Sequence, residues 1–147
     1  MNKDVLDSCI FSKLFLQEPD RQEAIELITE LSKRNTQVLV PSLFLYEVLS
    51  IAATSSFSIQ ATYALIKQYQ SANLSIVELD QPTILKAIEI CEQGHEKSGL
   101  PSFYDASYPA LAITNECQFI TADNRHVAKT KGFGYVTLLS DWESVFK

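Results

Sequence analysis

The chain has 147 residues, of which 46% are hydrophobic and 20% are charged, with only 4 Gly and 5 Pro. This composition is typical of one globular domain over residues 1–147, and it argues against long flexible linkers and low-complexity tracts. The net charge of −6 and the pI of about 4.8 argue against a broad basic surface for nucleic acid, unless several acids surround divalent cations that reverse the local sign.

Short apolar runs alternate with helical patterns along the chain. In the first half of the chain they predict a strand at residues 5–6, helices at 8–16 and from 19 past 31, a strand at 37–40, and helices at 42–53 and 56–72. The second half begins with a predicted strand at 74–79, followed by helices at 82–96 and from 102. It continues with a strand at 117–122, a short helix at 124–131, a strand at 135–139 and a final helical turn at 141–146. This alternation predicts an α/β fold with a mainly parallel central sheet.

Three serines stand where helices are expected to begin. Ser42 is a good N-cap residue for the helix that follows it. Ser102 precedes Asp105 by three positions, and Ser140 precedes Glu143 by three, so both pairs match the pattern of a capping box. We therefore expect these serine side chains to accept hydrogen bonds from the first turns of their helices.

Pro109 lies four residues after Asp105, in the helix that carries this acid. A proline at that position removes the hydrogen bond to the Asp105 carbonyl. Two outcomes stay open. Either the helix is kinked or delayed, which changes the direction of the Asp105 side chain, or it begins nearer Asp105 and the proline falls in its first turn.

Four acids stand at positions where chemistry is expected. Asp7 and Asp123 follow predicted strands, whose carboxyl ends form the usual functional edge of a parallel sheet. Glu47 lies inside the apolar run LFLYEVL, where an uncompensated carboxylate costs several kcal/mol. Taken singly, Glu47 could mark a solvated stripe of its helix, Asp105 could be a capping residue, and an acid after a strand is common.

Together, these four acids predict a cation site if they converge. Two unit charges ~5 Å apart repel by about 3 kcal/mol at an effective dielectric constant of about 20, and a bound ion relieves that repulsion. All-oxygen ligands favour the hard ions Mg²⁺ and Mn²⁺. Ser8, Thr121 and Asn124 adjoin the acids and could orient them or bind a phosphate.

A basic cluster follows Asp123 and consists of Arg125, His126, Lys129 and Lys131. It could contact the backbone of RNA, or it could be a solvated helix face, and both readings stay open.

Cys91 and His95 are spaced i, i+4, but two ligands without a second pair make a poor zinc site.

Cellular location is predicted from three features. No apolar run reaches the ~18 residues of a membrane helix, and the N-terminal segment MNKDVLDSCIFSK is too acidic for a signal peptide. The cysteines, Cys9, Cys91 and Cys117, are scattered and include no CxxC pair, which fits a reducing compartment. We expect a cytoplasmic protein that does not bind a membrane.

Four segments resemble the PIN-domain family, in particular the small toxins of VapBC toxin–antitoxin pairs. In chain order they are VLDSCIFSKLF, VPSLFLYEVLS, PSFYDASYPALA and FITADNRHVAK, and each carries one of the four acids. The resemblance implies a three-layer α/β/α fold. It also implies that the acidic quartet is Asp7, Glu47, Asp105 and Asp123, with Ser8 and Thr121 as the accompanying hydroxyls.

The same resemblance implies an activity and its partners. The expected activity is hydrolysis of RNA by a ribonuclease that depends on one or two Mg²⁺ or Mn²⁺ ions held by the quartet. The expected partners are an antitoxin protein and a second copy of the chain. Two other readings stay open: a PIN-like binding or regulatory module with little or no nuclease activity, and a nuclease directed at DNA.

Overall fold

A computed structural model describes residues 2–93 and 100–146, except for the side chain of Lys131. The strands are β1 (Lys3–Leu6), β2 (Gln37–Pro41), β3 (Leu74–Val77), β4 (Gln118–Thr121) and β5 (Val136–Leu138). The helices are α1 (Ser8–Ser12), α2 (Arg21–Lys33), α3 (Leu43–Thr54), α4 (Ile59–Gln70), α5 (Gln81–Gln93), α6 (Phe103–Thr114) and α7 (Asn124–Thr130). Residues Lys131–Phe133 and Leu139–Phe146 form 3₁₀ segments.

The strands form one sheet in the order β3-β2-β1-β4-β5, and every pairing between them is parallel. Helices cover both faces, so the predicted α/β class, the three layers and the parallel sheet are confirmed. From β1 the chain crosses to β2 on one side and later to β4 on the other. The strand order therefore reverses between β1 and β4, and in open parallel sheets ligand sites form outside such a point.

Apolar side chains of the central strands and the flanking helices form the core. Val5, Val40, Phe119 and Ile120 are fully buried, as expected for parallel strands that are covered on both faces. A smaller cluster joins α5 to α6 and is built largely of small side chains, which let the two helices approach closely: Ala87, Ile90, Ala106 and Ala110.

The starts of the helices agree only in part with the predicted caps. Ser102 accepts a hydrogen bond from the Asp105 N–H at 3.1 Å, as predicted. Ser42 occupies the N-cap position of α3 as predicted, but it has helical backbone angles and its side chain does not accept the expected capping bond. The helix predicted from residue 56 begins at Ile59, where Ser58 is the cap. Ser140 lies in a 3₁₀ segment interrupted at Asp141 and begins no α-helix.

Pro109 lies inside α6, which is helical on both sides of it. The helix begins at Phe103, so Asp105 is in the first turn and the proline is well beyond it. The alternative in which Pro109 falls in the first turn is therefore wrong. The Asp105 carbonyl loses its usual helical donor, because proline has no N–H.

Two sequence-based expectations fall partly on residues that the structure does not describe. The predicted end of α5 and the proposed Cys91–His95 pair extend into residues 94–99, which lie outside them. In the two described ranges, no helix combines the length and the apolar character that crossing a bilayer requires.

Candidate active site

The four predicted acids come from four elements that border the carboxyl edge of the sheet. Asp7 directly follows β1 and Asp123 follows the neighbouring strand β4, while Glu47 lies in α3 and Asp105 in the first turn of α6. Ser8, Glu47 and Asp105 line one open groove. Apolar and aromatic side chains complete this groove: Leu43, Tyr46, Ile51 and Tyr104.

Asp7 is the most deeply buried of the four acids and is held by several donors. Thr121 donates a hydrogen bond of 2.7 Å to Oδ2, and Ser8 donates one of 3.4 Å to Oδ1. His126 places Nδ1 3.6 Å from Oδ2. Burial opposes ionisation, but His126 and Thr121 outweigh it, so the pKa of Asp7 lies below its ordinary value and the carboxylate is charged.

Glu47 is half-buried beside two other acids. The buried Tyr108 hydroxyl donates a hydrogen bond of 2.6 Å to Oε1. Burial raises the pKa of Glu47, the Tyr108 bond lowers it, and the charges of Asp7 and Asp105 raise it further. The net shift is upward. Asp7 and Asp105 are therefore both close enough to Glu47 for their charges to act on it.

Asp105 and Asp123 expose their side chains to solvent. Oδ1 of Asp123 accepts the Arg125 N–H at 2.9 Å, and the Asp123 N–H donates to Thr121 Oγ1 at 3.1 Å. Thr121 thus links Asp123 to Asp7. Within the described residues, no hydrogen bond joins the Asp123 side chain to Glu47 or Asp105. The structure brings three of the acids into one group and leaves Asp123 at its margin.

The supporting residues take different positions. Ser8 and Thr121 both contact Asp7, whereas Asn124 begins α7 with an exposed side chain. The basic cluster divides: the Arg125 side chain is 88% exposed, Lys129 is partly buried and His126 is buried. His126 therefore does not belong to a basic surface. The side chain of Lys131 is outside the described part of the chain.

Sequence reasoning missed Tyr108 and His126 as members of the site. It assigned no site role to Tyr108, and it counted His126 as part of the basic cluster after Asp123. A spacing signal was present for both, because each follows a predicted site acid, Asp105 or Asp123, by three residues. Residues three positions apart are neighbours on a helix surface, so a residue three positions after an acid at the start of a helix lies near that acid.

The donor chemistry of the group suits a hard divalent cation. Its acids offer carboxylate oxygens, which Mg²⁺ and Mn²⁺ prefer, and their mutual repulsion is what a cation relieves. No three of the described His, Cys, Asp and Glu side chains are arranged to hold one ion. Mg²⁺ commonly takes one or two carboxylates and fills its shell with water and phosphate oxygens. The residues fit an ion that is bound in this way.

Comparison with known proteins identifies the family and the fold. The family model of the PIN domain matches residues 5–132. No curated protein sequence matches the chain at a significant level.

Three solved structures resemble the fold. A toxin–antitoxin complex from Klebsiella pneumoniae is 17% identical over 92% of this chain and 97% of that chain, with a TM-score of 0.66. Mycobacterium tuberculosis VapC20, described as a sarcin–ricin loop cleaving toxin, is 17% identical over 90% and 96%, with a TM-score of 0.67. FitAcB from Neisseria gonorrhoeae is 13% identical over 95% and 98%, with a TM-score of 0.65. At these identities the likeness shows the fold alone.

Proposed function

The chain belongs to the PIN domain family, and from this premise we propose that it is a divalent-metal-dependent endoribonuclease that acts as the toxin of a toxin–antitoxin pair. The observation that carries the proposal is the group of Asp7, Glu47 and Asp105 at the carboxyl edge of the sheet, where the charges of both aspartates act on Glu47. Such a group is unfavourable in a protein that binds no cation.

Each acid has a distinct part in this proposal. Asp7 is a fixed, ionised ligand, because Thr121 and His126 hold it in one orientation. Glu47 is oriented by Tyr108. Asp105 is exposed and free to approach an ion from α6. One or two Mg²⁺ or Mn²⁺ ions would activate water and stabilise the leaving oxygen of a phosphodiester.

Asp123 and the side chains after it are assigned to the margin of the site. Asp123 is proposed as the fourth acid, reached through the Thr121 bridge. Arg125 is exposed beside it and Lys129 follows one turn later, and both are proposed to contact the RNA backbone, together with Lys131. Asn124 is proposed to bind a phosphate oxygen near Asp123.

The proposed protein partners rest on the structural neighbours and on exposed apolar surface. Toxin–antitoxin complexes are among these neighbours, which supports an antitoxin as a partner. Tyr46 and Tyr104 are 67% and 68% exposed beside Glu47 and Asp105, where an antitoxin would cover the acids.

A homodimer is also proposed. Leu85 and Ile88 of α5 are exposed and offer an apolar surface for a second copy.

Cleavage of RNA by the purified chain tests the proposal. We expect hydrolysis with Mg²⁺ or Mn²⁺, and none with EDTA or with Asp105→Asn. Asparagine at 105 keeps the cap of α6, because the bond to Ser102 comes from the main-chain N–H of this residue. Glu143→Gln, which changes an exposed acid outside the site, is the matched control and should cleave normally. Activity that persists in Asp105→Asn would contradict the site assignment.

A binding module without nuclease activity is the second candidate function. It is favoured by the finding that no three described donors are arranged to hold one ion. Calorimetric titration with Mn²⁺ separates the two candidates, since a module that needs no metal has no reason to bind Mn²⁺ at these acids. Binding that is lost in Asp105→Asn supports the nuclease. A folded wild-type protein that neither binds Mn²⁺ nor cleaves RNA supports the module.

A further inference from the structure

His126 turns its imidazole ring inward from α7, behind the acids. The side chain is only 6% exposed, and its ring packs edge-on against Phe119 with the centroids 4.9 Å apart. Its Nδ1 lies 3.6 Å from Oδ2 of Asp7. The interaction with Asp7 therefore accounts for one of the two ring nitrogens.

The second nitrogen, Nε2, is buried and makes no hydrogen bond of ordinary length and angle within the described residues. A ring N–H that is shut away from water without an acceptor is costly, so such groups nearly always have a partner close by. Helix α6 packs against α7, and the His126 ring lies within reach of the main chain of Asp105. Burial lowers the pKa of His126, but Asp7, the charge of Asp105 and the Asp105 main chain together raise it above its ordinary value.

The Asp105 carbonyl lacks the donor that it would have in a regular helix. In a regular α-helix this carbonyl would accept the N–H of residue 109, but Pro109 has none. The proline ring also presses against the carbonyl four residues before it and turns that oxygen away from the helix axis. A carbonyl that lacks its regular helical donor thus lies near a buried ring nitrogen that has no hydrogen-bond partner among the described residues.

We infer that Nε2 of His126 donates a hydrogen bond to the main-chain carbonyl of Asp105 while Nδ1 faces Asp7, so that one ring fixes two corners of the acidic site. His126 is then a positioning residue, and Pro109 is its counterpart because it withholds the competing helical donor. The inference concerns the site of the proposed function. It rests on that function only for the role of Asp7 and Asp105 as metal ligands.

A double-mutant cycle on unfolding tests the pairing of Pro109 with His126. In Pro109→Ala, residue 109 regains an N–H that bonds the Asp105 carbonyl within α6. His126→Phe removes both ring nitrogens and keeps an aromatic ring against Phe119. We expect His126→Phe to lower the folding equilibrium constant in both backgrounds. The factor by which it does so should be about ten times smaller in Pro109→Ala than in the wild type. Purely additive effects would overturn the inference.

Nitrogen-15 NMR of the ring gives a second readout that needs no substitution at His126. In the wild-type protein at neutral pH, we expect Nε2 to carry a proton that exchanges slowly with water. Exchange should become faster in Pro109→Ala, where the helical N–H competes for the carbonyl. An unprotonated Nε2, or exchange that is unchanged in Pro109→Ala, would contradict the proposed bond.

Calorimetric titration with Mn²⁺ tests the positioning role separately. Residues that orient metal ligands typically change affinity by about 10- to 100-fold when they are replaced. We expect His126→Phe to bind Mn²⁺ at least about tenfold more weakly than the wild type, and Glu143→Gln to bind it equally well. Equal affinity in His126→Phe overturns the positioning role. If the wild type binds no Mn²⁺, the proposed function fails, and the cycle and the NMR still decide on the hydrogen bond.

Discussion

Asp7 and Asp105 are acids of the same type in opposite surroundings. Asp7 is buried, and its charged form is stabilised by Thr121 and His126 enough to lower its pKa despite burial. Asp105 is exposed, and its charge adds to the repulsion on Glu47. If repulsion between the acids were the only effect, asparagine at either position would leave the fold intact or stabilise it. The structure supports that expectation at Asp105, whereas the contacts of Asp7 argue against it at position 7.

Asparagine substitutions should therefore separate the two acids by stability. We expect Asp7→Asn to lower the free energy of unfolding by about 2 to 4 kcal/mol at neutral pH, since it leaves the buried His126 without its charge partner. Asp105→Asn should leave it unchanged or raise it by up to about 0.5 kcal/mol, because it relieves repulsion at an exposed position. Urea unfolding of both variants measures the difference. Equal losses would show that Asp7 is not held as described.

At the scale of elements, the sequence predicted the order of strands and helices and the edge at which the acids gather. Both follow from local patterns, namely apolar period, prolines and capping residues. The partners of the acids could not be predicted in the same way. His126 reaches Asp7, and Tyr108 reaches Glu47, across long stretches of chain. Which of the available donors meets which acid depends on helix packing, and sequence spacing alone does not specify it.

The two serines that precede α3 and α4 show how local patterns can mislead. Both suit an N-cap, yet Ser58 accepts the Ala61 N–H at 3.1 Å whereas Ser42 makes no capping bond. We expect Ser58→Ala to lower the free energy of unfolding by about 1 kcal/mol and Ser42→Ala to change it by less than about 0.5 kcal/mol. Chemical denaturation of the two variants gives the comparison. Equal costs would mean that α3 is capped after all.

For the whole molecule, the negative net charge and the burial of an acid both lower the stability of the fold as the pH rises. The chain carries a formal charge of −6, so further ionisation of acids increases its self-repulsion. One acid far from the candidate site adds a specific term. Asp4 lies in β1 with little exposure, and burial raises its pKa to about 6, although a hydrogen bond from the Gln118 N–H acts against the shift.

The sign of the Asp4 effect follows from its pKa in the two states. The ordinary value of 3.8 applies to the unfolded chain and the value of about 6 to the folded one, so the folded protein binds the proton more tightly. The penalty for charging Asp4 is absent below about pH 4 and complete above about pH 6. The Asp4 residue borders an open groove, so water reaches its carboxyl group in part and reduces the penalty to about 1 kcal/mol.

Asp4→Asn should remove this pH-dependent penalty and keep the acceptor for the Gln118 N–H. We expect the variant to be about 1 kcal/mol more stable than the wild type at pH 8, and its advantage to shrink steadily as the pH falls toward 4.5. Urea unfolding across this range measures both curves, and Glu143→Gln should show no comparable trend because its side chain is exposed in the native protein. A constant gain at every pH would mean that the charge of Asp4 does not cause it. A loss of stability at pH 8 would mean that the carboxylate is better solvated than its position in β1 indicates.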